Sequence, residues 1–226
     1  MHAFDRDMEF LPESDGVLSL TLSDQWSINH VANGGFSMAL LTRAMIGQGS
    51  AVGDKDIVAC ITTANYMDRC DPEPTRIFLE TICESRHFIR KQARLVQDGK
   101  ERIRAMGTFI KCVDADLPQC YEKEAEQVSP PDQCIKVASM GGGYSLFDQV
   151  DLRLDPECAG WTKGKLTDRS VQKGWVRFKK EREVDVPAIT FFADIFPPCV
   201  FASRGMVRWV PTIEYSVNVR QLPVPG

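Results

Sequence analysis

From Val17 to Leu22 (VLSLTL) apolar and polar residues alternate, the period of a strand with one buried face. After Trp26 and the tripeptide Asn33-Gly34-Gly35 the period changes. Phe36, Met38, Leu40, Leu41, Met45 and Ile46 place apolar side chains around most of a helical circumference, which predicts a buried helix opening at the glycines. Four strand-like runs follow: Ile57–Met67, Thr75–Arg86, Phe88–Gln97 and Arg102–Cys112. Between the last two stands Asp98-Gly99, a strong hairpin signal because both residues accept the positive φ of a tight turn. A strand, a long apolar helix and a four-stranded meander predict the α+β class, an antiparallel sheet wrapped around one buried helix.

Residues 113–145 are different in character, with Asp114, Asp116, Pro118, Pro130-Pro131 and Gly141-Gly142-Gly143 in a polar stretch that reads as a linker. The triple glycine has no strand–helix context and no following Gly-Lys-Ser/Thr, so it reads as a flexible connector and not as a phosphate cradle. Over residues 146–226 the pattern starts again. Gly174–Phe178 is strand-like, Val186–Phe196 is a second strongly apolar helix candidate, and Pro211–Arg220 alternates as a strand. An offset of 151 residues superposes the halves without a gap between 35 and 72: Phe36, Met38, Leu41 and Ile46 fall on Pro187, Ile189, Phe192 and Pro197, and Arg69 and Pro72 fall on Arg220 and Pro223. Arg43 of the first helix falls on Asp194 of the second. The expected organisation is a complete unit over 1–112 and a related one over 146–226. The copy of Cys112 would lie at about 263, so about 37 residues, the last three strands of the first unit, lack a counterpart, and the second unit is expected to be incomplete.

Composition narrows the function classes. Lys and Arg total 27 against 31 Asp and Glu, a formal charge of −4, which gives no reason to expect nucleic acid or an anionic membrane as partner. No apolar run approaches the roughly 20 residues of a membrane span, and the opening MHAFDRDMEF lacks the features of a signal peptide, so a soluble cytoplasmic chain is expected. Cys60, Cys70, Cys83, Cys112, Cys120, Cys134, Cys158 and Cys199 form no closely spaced pair, and none lies at ligand spacing from a histidine. Free, mostly buried thiols and no metal site are expected.

Neither a Gly-x-Ser-x-Gly elbow nor a dinucleotide or P-loop fingerprint is present. The remaining candidates lie in the two helix regions. Asp194 stands between Phe191-Phe192-Ala193 and Ile195-Phe196-Pro197-Pro198, where a lone carboxylate is costly unless it is hydrogen-bonded or does chemical work; a solvent-facing or capping Asp at the helix end is the alternative. Thr212 opens the next strand, where a threonine is ordinarily a β-former. Gly34 and Gly35 leave backbone N–H groups at the positive end of a helix, suited to a carbonyl oxygen or a phosphate, or else allow close packing. His30 and His87 have no visible partner and read as structural.

Taken together, Trp26…Asn33-Gly34-Gly35-Phe36, Gly174-Trp175-Val176-Arg177-Phe178, Ala193-Asp194…Pro197-Pro198 and Val210-Pro211-Thr212-Ile213 resemble the thioesterase-like superfamily, whose best-known members are the acyl-CoA thioesterase II enzymes. The resemblance spans most of the chain and implies a double hotdog fold, two antiparallel sheets each around a long apolar helix. It implies hydrolysis of an acyl-CoA or similar thioester to free acid and thiol, without a covalent intermediate, cofactor or metal, in a homo-oligomer. Asp194 and Thr212 match the family's water-holding Asp and Thr, and the family's Gln in the last strand falls beyond Gly226. Asp194 would be the base or orient the water, Thr212 would hold that water, and Asn33, Gly34 and Gly35 would meet the substrate. Met38, Leu41, Phe191 and Phe192 would be able to line an acyl channel. A non-catalytic acyl- or acyl-CoA-binding protein on the same fold is the alternative, and a hydratase-type enzyme is disfavoured because no Asp/His pair stands at a helix start.

Overall fold

A computed structural model describes residues 1–47, 57–111, 124, 126–139, 141–206, 208–220 and 222–223. Cys112, most of the first half of the 113–145 stretch, and Gln221 of the repeat lie outside them. The elements run α1 (Ala3–Arg6), β1 (Leu11–Ser14), β2 (Val17–Thr21), β3 (Ser27–Ile28), β4 (Val31–Ala32), α2 (Gly34–Gly47), β5 (Ile57–Tyr66), β6 (Pro74–Glu84), β7 (Phe88–Gln97) and β8 (Lys100–Lys111). The chain continues through β9 (Ile135–Lys136), α3 (Leu146–Gln149), β10 (Val150–Leu154), β11 (Gly174–Phe178), α4 (Val186–Phe192), α5 (Val200–Arg204) and β12 (Glu214–Val219). Antiparallel sheets and helices thus give a mixed α+β architecture.

Strands β1-β2-β6-β7-β8-β5-β12 form one seven-stranded sheet in that order, and β11-β10-β9 form a second. The meander closes through Asp98 and Gly99 at φ 49° and 71°, with Gln97 paired to Lys100, as a two-residue turn between twisted strands requires. Along β7 the alternation turns Ile89, Ala93 and Leu95 inward. Helix α2 lies against β6, β7 and β8 on one side and α4 on the other. That double cover is why nearly its whole circumference is apolar, with Phe36, Met38, Leu40, Leu41 and Met45 fully buried.

The second half departs from expectation in three places. The helix foreseen over Val186–Phe196 ends at Phe192, because the N–H groups of Asp194 and Ile195 bond back only three residues, to Phe191 and Phe192, and Pro197-Pro198 then supplies no donors. The strand foreseen over Pro211–Arg220 is confined to Glu214–Val219 and joins the first half's sheet by pairing with β5. Its register sets Ala64 opposite Tyr215, residues that are each other's equivalents at the offset of 151, so the two halves meet about a local two-fold. The capping residues of α2 and α4, Asn33 and Asp185, are 152 apart, so the repeat slips by one residue at the helix start. Within the described part of 113–145, Ile135–Lys136 pairs with β10, and Gly143 packs against the His30 ring. Six cysteines are described as free thiols: Cys60, Cys70 and Cys158 are buried, Cys134 is half-buried, and Cys83 and Cys199 are exposed. Among the described residues no helix is long and apolar enough to cross a membrane.

Arg182 ties the start of the chain to α4. Its guanidinium donates to Asp5 at 2.8 Å and to Asp185 at 2.6 Å, and lies 4.9 Å from the centre of the Phe4 ring. Asp185 in turn caps α4 by accepting the Ala188 N–H at 2.9 Å. Arg182→Met is expected to leave Asp5 with Arg43 and Asp185 with the Ala188 N–H in place of the shared guanidinium, and to lower stability by about 1–3 kcal/mol, read as a lower midpoint in urea. An unchanged midpoint would show the cluster to be dispensable.

Candidate active site

The glycine turn is placed by the hairpin before it. Asn29 and His30 occupy its tip at φ 55° and 60°, and His30 Nδ1 lies 2.8 Å from Asp24, so this histidine is part of the turn and not of the site. The N–H of Ala32 donates to the Cys70 carbonyl and that of Asn33 to the Trp26 carbonyl, both at 2.9 Å. Trp26 stacks on Phe36, with ring centres 5.2 Å apart. Asn33 then caps α2, its Oδ1 accepting the Phe36 N–H at 3.0 Å.

From the other half, Asp194 reaches this same turn. Its Oδ2 accepts the Gly35 N–H at 2.8 Å and lies 3.3 Å from the Thr212 hydroxyl and 3.4 Å from Asn33 Nδ2. Asn33 Nδ2 also donates to the Asp194 carbonyl at 3.2 Å. The five residues singled out in the sequence, Asn33, Gly34, Gly35, Asp194 and Thr212, therefore form one half-buried cluster at the N-terminus of α2. His87 is elsewhere, in the turn between β6 and β7.

Burial pushes the Asp194 carboxyl above the usual carboxylate range, while the Gly35 N–H, Thr212 and Asn33 pull it back in part. The positive end of the α2 dipole acts in the same restraining direction. Because Asp194 takes the Gly35 N–H, the donor left at the first helical position is that of Gly34, which has no intrahelical acceptor. Met38, Leu41 and Phe191 are fully buried in the core, and Phe192 packs 4.7 Å from Phe178.

Two residues of the neighbourhood carried no sequence signal. Tyr66 donates its hydroxyl to the Gly34 carbonyl at 2.7 Å, and Tyr215 donates to the Thr190 carbonyl at 2.9 Å. Burial and the nearby Asp194 raise both phenol pKa values, that of Tyr66 well beyond its usual range. A tyrosine in a strand reads as a β-former, and only the register that turns these two inward could have distinguished them.

The profile of the acyl-CoA thioesterase N-terminal domain matches residues 22–110, and that of the acyl-CoA thioesterase C-terminal domain matches residues 126–226. The chain belongs to the acyl-CoA thioesterase family. No curated protein matches it. Among solved structures, a Thermobifida fusca protein assigned as a thioesterase II is similar at TM-score 0.83 and 20% identity, covering 100% of this chain and 83% of the other. A hotdog-fold protein from Alicyclobacillus acidocaldarius is similar at TM-score 0.80 and 18% identity, covering 96% and 77%. The tesB protein of Mycobacterium avium subspecies paratuberculosis reaches TM-score 0.72 at 14% identity, covering 98% and 80%. At these identities the structural likeness establishes the hotdog fold of this thioesterase-family chain.

Proposed function

We propose that this chain hydrolyses an acyl thioester, with coenzyme A as the carrier, by activating water at Asp194. The observation that carries the reading is a carboxylate with a raised pKa, held at a helix N-terminus between a backbone N–H and a hydroxyl. A base whose pKa is lifted toward neutrality is better matched to removing a proton from water than an ordinary carboxylate. Oδ2 is committed to Gly35, whereas among the described residues Oδ1 has only the Thr212 hydroxyl, at 3.5 Å, and is the oxygen left to accept a proton.

In this reading water lies between Oδ1 and the Thr212 hydroxyl. Its oxygen attacks the thioester carbonyl as its proton passes to Asp194. The Gly34 N–H and the positive end of α2 stabilise the negative charge that develops on the carbonyl oxygen. The C–S bond then breaks, the proton returns from Asp194 to the departing sulfur, and acid and thiol leave. The family gives acyl-CoA as the substrate class, and the steps use this chain's own groups alone. The two-unit organisation, 1–112 and 146–226 joined by 113–145, accompanies this reading: the glycines come from one unit and the acid from the other. The facing pair Ala64 and Tyr215 supports it.

Thiol release from a panel of acyl-CoAs of increasing chain length tests the proposal. Release that saturates with substrate and disappears in the Asp194→Asn variant is expected. Binding of acyl-CoA without release over the whole panel would instead make this a binding protein on a thioesterase fold.

A further inference from the structure

The geometry points to Tyr66 and Tyr215 as positioning residues that hold Asp194 from its two sides, one through α2 and one through α4. This rests on the hydrolytic reading above and adds to it two side chains that touch neither water nor substrate.

The Gly34 carbonyl and the Gly35 N–H belong to one planar peptide group. The Tyr66 hydroxyl donates to the oxygen of that group at 2.7 Å, and its N–H donates to Asp194 Oδ2 at 2.8 Å. Tyr66 therefore fixes the plane in which the N–H points and, by polarising the amide, strengthens the bond to the carboxylate. The Tyr66 backbone adds a second restraint, its N–H donating at 2.9 Å to the carbonyl of Ile213, the residue after Thr212.

Tyr215 acts on the opposite side. In a continuing α-helix the Asp194 N–H would bond the Thr190 carbonyl, but it bonds Phe191 instead, at 3.2 Å, and so turns the carboxylate toward Gly35. That turn leaves the Thr190 carbonyl without its helical donor, and the Tyr215 hydroxyl supplies one at 2.9 Å. Without it the chain would regain a hydrogen bond by resuming the helix, moving the carboxylate away. The two tyrosines stand on adjacent strands at the seam where β5 and β12 pair.

Tyr66→Phe and Tyr215→Phe test the idea by removing one hydroxyl each. Each is expected to lower kcat about tenfold, the factor of one net hydrogen bond, with KM little changed. The ¹³C titration of the Asp194 carboxyl should move to higher pH, because a weakened Gly35 N–H bond stabilises the charged form less. Ile89→Val, a buried change at the far end of the sheet from Tyr66, serves as the control for stability loss alone. Variants whose kcat falls only with their folded fraction, as in the control, and whose Asp194 titration stays put would overturn the positioning role. The titration needs no turnover, so an inactive wild-type chain would reject the hydrolytic reading while the tyrosine assignment is still decided.

Discussion

Asp194→Asn is expected to yield a folded protein that is more stable than the parent at neutral pH and slower by on the order of 10²–10⁴. The two effects have one cause. Burial raises the Asp194 pKa in the folded chain above its unfolded value. Below the ordinary carboxylate value both states are protonated at this residue, and folding carries no charge-burial cost. As pH climbs through the raised folded value, the unfolded chain ionises freely while the folded site must hold a buried charge, so stability declines. Asparagine keeps the shape, and its oxygen can still accept the Gly35 N–H, but it neither ionises nor takes a proton from water. Melts of parent and variant should therefore coincide near pH 4 and separate, with the variant higher, as pH rises toward 8. The acid limb of the parent's kcat/KM profile should lie above the usual Asp range. Unchanged turnover in the well-folded variant would remove Asp194 from the mechanism.

That a carboxylate sits in this apolar stretch at a cost was partly legible in the chain itself. A carboxylate inside AITFFADIFPP is anomalous on burial grounds alone, and the glycine pair opening an apolar run marks a helix start that something approaches closely. Period-two alternation likewise located all four strands of the meander to within a few residues, since each has one face on α2 or the core and one on solvent. The parts that were not legible share a physical reason. Helix α1 and strand β1 are too short for periodicity to register, and α1 is held by Phe4 in an aromatic cluster with Trp26, Phe36 and Phe191. The junction of β12 with β5 joins residues about 150 apart, and no local pattern encodes a partner at that distance. The early end of α4 goes with a Thr190 carbonyl that accepts from Tyr215, a tertiary contact that the apolar run continuing to Phe196 does not encode.

Gly34→Ala and Gly35→Ala are expected to fail differently, although the residues are adjacent. Neither has a positive φ, so it is the closeness of neighbouring atoms that demands glycine here. A Cβ on Gly35 would lie 2.7 Å from the Phe191 carbonyl oxygen and 2.8 Å from the Asp194 Cβ. The first is backbone already engaged by the Asp194 N–H, so relief requires α4 to move away from α2. Overpacking of this kind costs about 1–3 kcal/mol, against a gain of about 1 kcal/mol from alanine's better helix propensity, so the clash wins. Gly35→Ala should thus lower the urea midpoint and the activity together. A Cβ on Gly34 would instead lie 2.8 Å from the Thr212 hydroxyl oxygen and 2.9 Å from Asp194 Oδ2. These are side-chain ends that can swing aside, while the Thr212 Cβ at 3.0 Å must give by a few tenths of an ångström, so the midpoint should fall less than in Gly35→Ala. They are also the two groups proposed to hold the water, and a displacement of about 1 Å is enough to cost roughly 10² in rate. Gly34→Ala should therefore lose turnover with a smaller fall in stability than Gly35→Ala, and a Gly34→Ala protein with full activity would show that the water is held elsewhere.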